Sequence, residues 1–212
     1  MRLILASGSP RRRELLGSIG VDFDVIPSDV PEVRAAGESP EEYVARLSRE
    51  KAAAVARQHP DRWIVAADTT VYLGDELLEK PAGVDDARRM LAAIAGRTHV
   101  VYTAVTLMNV ASAYGDTRIA ETEVRIAPMS EREIDWYARS GDGLDKAGAY
   151  AAQGIGAMFI DSIHGSYTNV VGLPLALLVR MLERAGIDPL APEADVTPRV
   201  SEGPGGAGGA MG

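Results

Sequence analysis

The opening stretch, RLILASGSPRRRELL, does most to narrow the folds open to this chain. Residues 2–6 (RLILA) read as a buried strand broken at once by Ser7-Gly8-Ser9-Pro10, after which RRRELLGSIG sets Leu15, Leu16 and Ile19 at helical spacing. Strand, tight loop and helix in immediate succession is the unit from which α/β sheets are assembled. A second strand is expected at residues 22–27 (DFDVIP). Ser39-Pro40-Glu41-Glu42 supplies an N-cap serine, a proline at the first helical position and a glutamate at the third, predicting a helix to about Gln58. Residues 63–67 (WIVAA) read as an interior strand that closes at Asp68, followed by a hairpin turn at Leu73-Gly74-Asp75 into 76–78.

Farther on, Asp85 is expected to cap a helix whose apolar side is Ala87, Met90, Leu91 and Ile94, with Gly96 as its stop. Strands follow at 100–109 and 118–126, joined by a polar stretch around 112–116. Ser130 with Glu133 forms a second capping box over a helix at 131–139. A strand at 157–163 and a helix at 174–185, ending at Gly186, complete the pattern, with a polar loop through His164–Asn169 before that helix. From Pro189 onward proline, glycine and charge replace periodicity, so residues 188–212 are expected to be a flexible tail on a single domain spanning 1–187. The order of elements predicts an α/β fold with a mixed sheet flanked by helices.

Composition excludes several chemistries. With 212 residues, 46% of them hydrophobic, the chain can bury one sizeable core, in one lobe or two. No run of about 18 apolar residues occurs, and the N-terminus lacks the form of a secretory signal, so a cytoplasmic protein without a membrane partner is expected. There is no cysteine, and His59, His99 and His164 show no zinc-ligand spacing. Any metal should therefore be a hard cation held by carboxylates. A net charge of −8 argues against duplex nucleic acid as a partner while leaving room for a local basic pocket. Of 22 basic residues only Lys51, Lys80 and Lys146 are lysine. An ammonium is a compact point charge suited to phosphate oxygens, where arginine is a planar fork.

Five places carry candidate chemistry. Ser7–Arg12 enters a helix N-terminus, where free N–H groups and the dipole favour an anion; Arg11, Arg12 and Arg13 crowd the same end, which either a bound phosphate or plain solvent would relieve. The spacing is not that of a P-loop. Lys51 shares a helix face with Leu47 and Val55, so it must meet an anion, point into a cleft, or snorkel past the rim. Asp68 could bind metal, accept a proton from water, or cap the turn at Thr69 and Thr70, and Glu32 is the natural second carboxylate. Lys80 is held extended before Pro81. In DKAGAYAAQG (145–154), which contains Lys146, small residues allow close approach of a ligand and Gln153 offers both donor and acceptor to a base edge.

Taken in order, LASGSPRRRELL, ESPEEYVARLSREKA, VAADTTV, EKPAGVDDARRML, GRTHVVYTAV, DKAGAYAAQG and GSYTNVVGLPL closely resemble the Maf family of house-cleaning nucleotide pyrophosphatases over about residues 2–187. The resemblance implies an elongated, two-lobed fold with a central cleft, akin to inosine triphosphate pyrophosphatases, and often a homodimer. It implies that Asp68 is the proton acceptor and that Ser7, Arg12, Lys51, Lys80 and Lys146 bind the triphosphate. It further implies that Glu32 and Asp68 engage Mg2+ or Mn2+, and that Arg11, Thr69 and Gln153 set specificity. DKAGAYAAQG looks like the subgroup acting on dTTP and UTP rather than the one acting on 7-methyl-GTP. The alternatives are a nucleotide-binding regulator of cell division that does not turn its ligand over, and a pyrophosphatase for another nucleotide such as 7-methyl-GTP. Two positions depart from the family pattern: Glu79 stands where glycine usually precedes the lysine-proline pair, and Gly143-Leu144 replaces an aromatic before Asp145-Lys146.

Overall fold

The structure is a computed structural model that describes residues 2–189. The expected tail lies outside those residues apart from its first two. β1 (Leu3–Leu5) leaves the sheet at Ala6, and α1 (Pro10–Ser18) begins on the cap of Ser9, whose hydroxyl accepts from the Arg12 N–H. β2 (Phe23–Val25) pairs parallel with β1. The capping box at Ser39 and Glu42 forms as expected and starts α2 (Pro40–Ala56).

β3 runs from Ile64 to Leu73 rather than closing at Asp68. Thr69, Thr70, Val71 and Tyr72 are β-branched or aromatic and continue the strand, turning at Gly74 into β4 (Glu76–Leu78). Asp68 therefore lies in mid-strand. Helix α3 (Val84–Ile94) starts at Gly83 without a side-chain cap; Asp85 lies two residues past the cap position, and the Asp86 carboxylate instead accepts from the Ala82 N–H at 3.0 Å. β5 (Thr98–Asn109) and β6 (Tyr114–Ile126) make a long hairpin, and α4 (Glu131–Ser140) has the second capping box.

The expected strand at 157–163 begins only at Ile160, as β7 (Ile160–His164), because Gly154–Phe159 coils into 3-10 turns. A Cβ at Gly156 would meet both the Ala151 carbonyl and the Tyr137 hydroxyl at 2.4 Å, a packing no extended strand with a side chain there would permit. The segment expected to be a polar loop holds a short helix, α5 (Tyr167–Val171), capped by Ser166. The last helix is α6 (Leu175–Arg184).

The sheet order is β2-β1-β3-β5-β6-β7, parallel through β3 and antiparallel beyond it. Period-two alternation sorts β3 between two faces. Ile64 and Ala66 join Ile4 and Ala6 against Ala52 and Val55 of α2. Val65 and Ala67 face the other way, toward Leu16 of α1 and Leu178, Met181 and Leu182 of α6. On that second face a separate core gathers Val71 and Leu73 with Met90, Leu91 and Ile94 of α3 and Tyr137 of α4. One face is thus covered continuously by α2, while the other carries two cores with a gap between them. These are the two lobes of the expected mixed α/β fold. Among the described residues no helix is long and apolar enough to cross a membrane.

Within the second core His99 is 1% exposed and shares a 2.8 Å hydrogen bond between its Nε2 and the Tyr150 hydroxyl. Burial pushes its pKa down from 6.5 to about 4. On acidification the unfolded chain takes up this proton first. Stability from His99 is therefore complete above the unfolded value of 6.5 and drains away as pH falls toward about 4. The total is up to about 3 kcal/mol. Urea midpoints between pH 7 and pH 4 should fall less steeply in His99→Gln than in the parent protein; parallel slopes would show that His99 does not contribute.

Candidate active site

The site arises where β3 lacks a neighbour. Its β5 edge is paired from Ile64 to Tyr72, but on the other edge β1 reaches only Val65 and β4 begins only at Val71. Between them the strand borders a cleft of about 400 Å³, within the range of small-ligand sites. Alternation then sends the two residues at its centre in opposite directions. Asp68 has the parity of Ala66 and points to the α2 face; Thr69 has the parity of Ala67 and points to the lobe face.

On the α2 face Asp68 meets Lys51, the helix position sharing a stripe with Leu47 and Val55. Lys51 Nζ donates to Asp68 Oδ1 and to Glu32 Oε1, both at 2.5 Å, and the Lys51 and Asp68 residues are 6% and 5% exposed. Of the readings open for Lys51, it meets an anion, and it meets two. Glu32 comes from the loop before α2, pinned by Arg46, which donates to the Val33 carbonyl at 2.9 Å and to Glu38 at 2.7 Å. Glu32 also accepts from Lys80 Nζ at 3.3 Å across the cleft. Burial raises the Asp68 pKa, opposed by Lys51 and Arg12 and reinforced by Glu32. For Glu32 burial likewise acts upward, but the hydrogen bond and charge of Lys51 and the charge of Lys80 outweigh it and the pKa falls. The two carboxylates are thus held in different electrostatic states on one ammonium.

On the lobe face Arg12 is clamped from three sides. Its Nε donates to the Gly172 carbonyl at 2.8 Å, Nη1 to Ser7 Oγ at 3.3 Å and Nη2 to Thr69 Oγ1 at 3.1 Å. Burial lowers its pKa from 12.5, resisted by the charges of Asp68 and Glu32; the guanidinium stays charged at neutral pH. The crowding of arginines at α1 is thereby divided: Arg12 turns into the cleft, and Arg11 pairs with Asp145 at 3.3 Å over its rim.

The segment 145–154 closes the opposite wall. Lys146 reaches the cleft lining, with its ammonium held at 2.5 Å by the Asp142 carbonyl and at 2.5 Å by Asp145. Gly148 serves the backbone more than a ligand: its φ is 75°, and a Cβ there would press the Val71 methyl at 3.2 Å. Gln153 lines the cleft, and its amide has no protein hydrogen bond among those of the described residues. All three lysines of the chain line this one cleft, with Ser7, Arg11, Arg12, Glu32, Asp68, Thr69 and Gln153. Every candidate residue read from the sequence is brought together. Missed were Val170, Val171 and Gly172 on the end of α5, whose five residues are too few to show a helical period. Of the two departures, Glu79 is exposed and absent from the lining, while Gly143 packs so closely on Ala149 that a Cβ would fall 2.0 Å from its carbonyl oxygen.

A family model described as Maf-like protein matches residues 2–185. The chain belongs to this family. Relatives within reach include a protein named dTTP/UTP pyrophosphatase from Myxococcus xanthus, 51% identical over 185 residues and covering 87% of this chain and 93% of its own. Another of that name from Deinococcus radiodurans is 47% identical over 190 residues, covering 88% and 94%. Among solved structures, the Staphylococcus aureus Ham1 protein superposes with a TM-score of 0.50 at 14% identity, over 87% of this Maf-family chain and 100% of that one. That likeness concerns the fold alone.

Removing the shared ammonium should expose what it holds. Lys51→Met leaves Asp68 buried without its partner, at an expected cost of roughly 2–3 kcal/mol at pH 7 without divalent ions. That is below the figure for a sealed pair because the site opens onto solvent. Urea denaturation measures it; a change under about 0.5 kcal/mol would mean that the pair is not coupled to folding.

Proposed function

We propose that this chain hydrolyses nucleoside triphosphates, with dTTP and UTP as preferred substrates, to the nucleoside monophosphate and pyrophosphate. The reading is carried by one observation: a buried carboxylate with a raised pKa, Asp68, lies in a single cleft among Arg11, Arg12, Lys51, Lys80 and Lys146. A cleft so charged suits a polyanion, and a carboxylate of raised pKa is a stronger base than an ordinary one. The names of the Myxococcus and Deinococcus relatives specify the nucleotide.

In the proposed reaction a water oxygen attacks the α-phosphorus and the bond to the α–β bridging oxygen breaks. Asp68 takes the proton of the attacking water, and pyrophosphate leaves with the bond's electron pair. Ser7, Arg12, Lys51, Lys80 and Lys146 hold the phosphate chain and offset charge developing on the leaving group. Arg12 is best prepared, since its three hydrogen bonds fix the fork before a ligand arrives. Gln153 reads the base, with Arg11 and Thr69 completing selection.

Glu32 and Asp68 fit a divalent cation. Both place an oxygen 2.5 Å from the Lys51 ammonium, so the two hard donors already gather round one positive charge, and a cation would share or take the place Lys51 fills. No group of three or more His, Asp or Glu suited to a metal occurs among the described residues, so the remaining ligands would be water and phosphate oxygens, as magnesium prefers. A cation held there would neutralise phosphate charge.

Pyrophosphate release in Mg2+ or Mn2+ should be fastest with dTTP and UTP among those two, CTP, ATP, GTP and 7-methyl-GTP. Asp68→Asn should lower the rate about 10²–10⁴-fold while the protein stays folded. Nucleotide binding without pyrophosphate release by the parent protein would instead identify a regulator, and an active Asp68→Asn would remove Asp68 from its role.

A further inference from the structure

Thr69 stands at the end of a hydrogen-bond chain whose direction is set from its far end. The Asn169 main-chain carbonyl can only accept; it takes the Gly172 N–H at 2.9 Å, and Thr103 Oγ1 donates to it at 3.2 Å. Thr103 has one hydroxyl proton, and with that proton given to Asn169 the 2.9 Å contact between Thr103 and Thr69 uses the proton of Thr69. The reverse arrangement would leave the Thr103 and Asn169 oxygens facing each other without a proton. The Asn169 carbonyl would keep its bond from the Gly172 N–H, so what disfavours the reversal is the repulsion of two oxygens 3.2 Å apart on residues that are both 0% exposed, with no solvent to relieve it. Asn169 cannot turn aside: its side-chain amide donates to the Val101 carbonyl at 3.1 Å and to Thr122 Oγ1 at 2.8 Å, tying α5 to β5 and β6.

At the near end Arg12 Nη2 takes one lone pair of Thr69 Oγ1. The hydroxyl has thus committed its proton and one acceptor site, and one lone pair remains on a residue that lines the cleft. We propose that Thr103, acting through Thr69, makes this position an obligate hydrogen-bond acceptor and so a selector for a nucleotide that presents a donor there. Thr103 is a positioning residue that no ligand need touch. The inference rests on the nucleotide reading above and names the chemistry it selects. A thymidine triphosphate offers two such donors, the imide N3–H of the base and the 3′-hydroxyl of the sugar. Cytosine carries a bare acceptor at N3, which a fixed lone pair would repel.

The test compares dTTP with N3-methyl-dTTP and with 3′-deoxy-dTTP, on the parent protein, Thr103→Val and Thr103→Ser. In the parent, one analogue should lose about tenfold in kcat/KM, chiefly through KM, and which one it is identifies the donor. Thr103→Val removes the partner that holds the Thr69 proton. It should lower kcat/KM for dTTP and bring the discriminated analogue to within about twofold of it, while Thr103→Ser keeps the parent's ratio. A purely structural role would lower all three substrates equally and leave the ratio alone, and that result overturns the proposal. So does a parent protein that handles both analogues like dTTP, a comparison that stands even if Thr103→Val fails to fold. No cleavage of dTTP by the parent would remove the nucleotide reading itself, and this inference with it.

Discussion

The architecture depends on an asymmetry in how one strand is paired. β3 is bonded to β5 along nearly its whole length, so it cannot bend away from the sheet, yet on its other edge two short strands stop before they meet. A continuous partner there would fill the cleft with backbone; a missing β5 would let the strand fray. Rigidity on one side and vacancy on the other place Asp68 and Thr69 at fixed positions beside open space. The cores at either end of the lobe face hold that space open.

Alternation along the same strand separates two tasks that would interfere if they shared a face. Asp68 is committed to the α2 side, where Lys51 and Glu32 govern its charge. Thr69 is committed to the lobe side, where Arg12, Thr103 and the α5 carbonyls govern hydrogen-bond direction. The hydrogen bonds of these adjacent residues are thereby made on opposite faces of the strand, and Arg12 of α1 links the two, since its charge also acts to lower the Asp68 pKa.

Much of this is legible in the sequence where periodicity or capping speaks. The stripe of Leu47, Lys51 and Val55 places an ammonium on a buried face, and Ser39 and Ser130 mark their helices correctly. The scarcity of lysine points to the cleft through all three of its occurrences. What sequence reading misses follows from interactions that have no local pattern. Asp68 looked like a strand end because the apolar run stops there, but Thr69–Tyr72 continue it through pairing with β5. Glu32 lies on an irregular loop placed by Arg46, and Gly172 matters for a carbonyl that any residue would possess. The small residues of DKAGAYAAQG suggest room for a ligand; of its two glycines, Gly148 instead supplies a positive φ and close approach to Val71.

The distribution of lysine also changes what ordinary protein chemistry would report. In most proteins an amine-directed acylating reagent scatters over the surface. Here the only side-chain amines border the cleft; Lys51 is shielded between two carboxylates, and the Lys80 side chain is 61% exposed. Apart from the α-amine, a general lysine reagent thereby becomes, through composition and fold together, a reagent addressed to the mouth of the candidate active-site cleft.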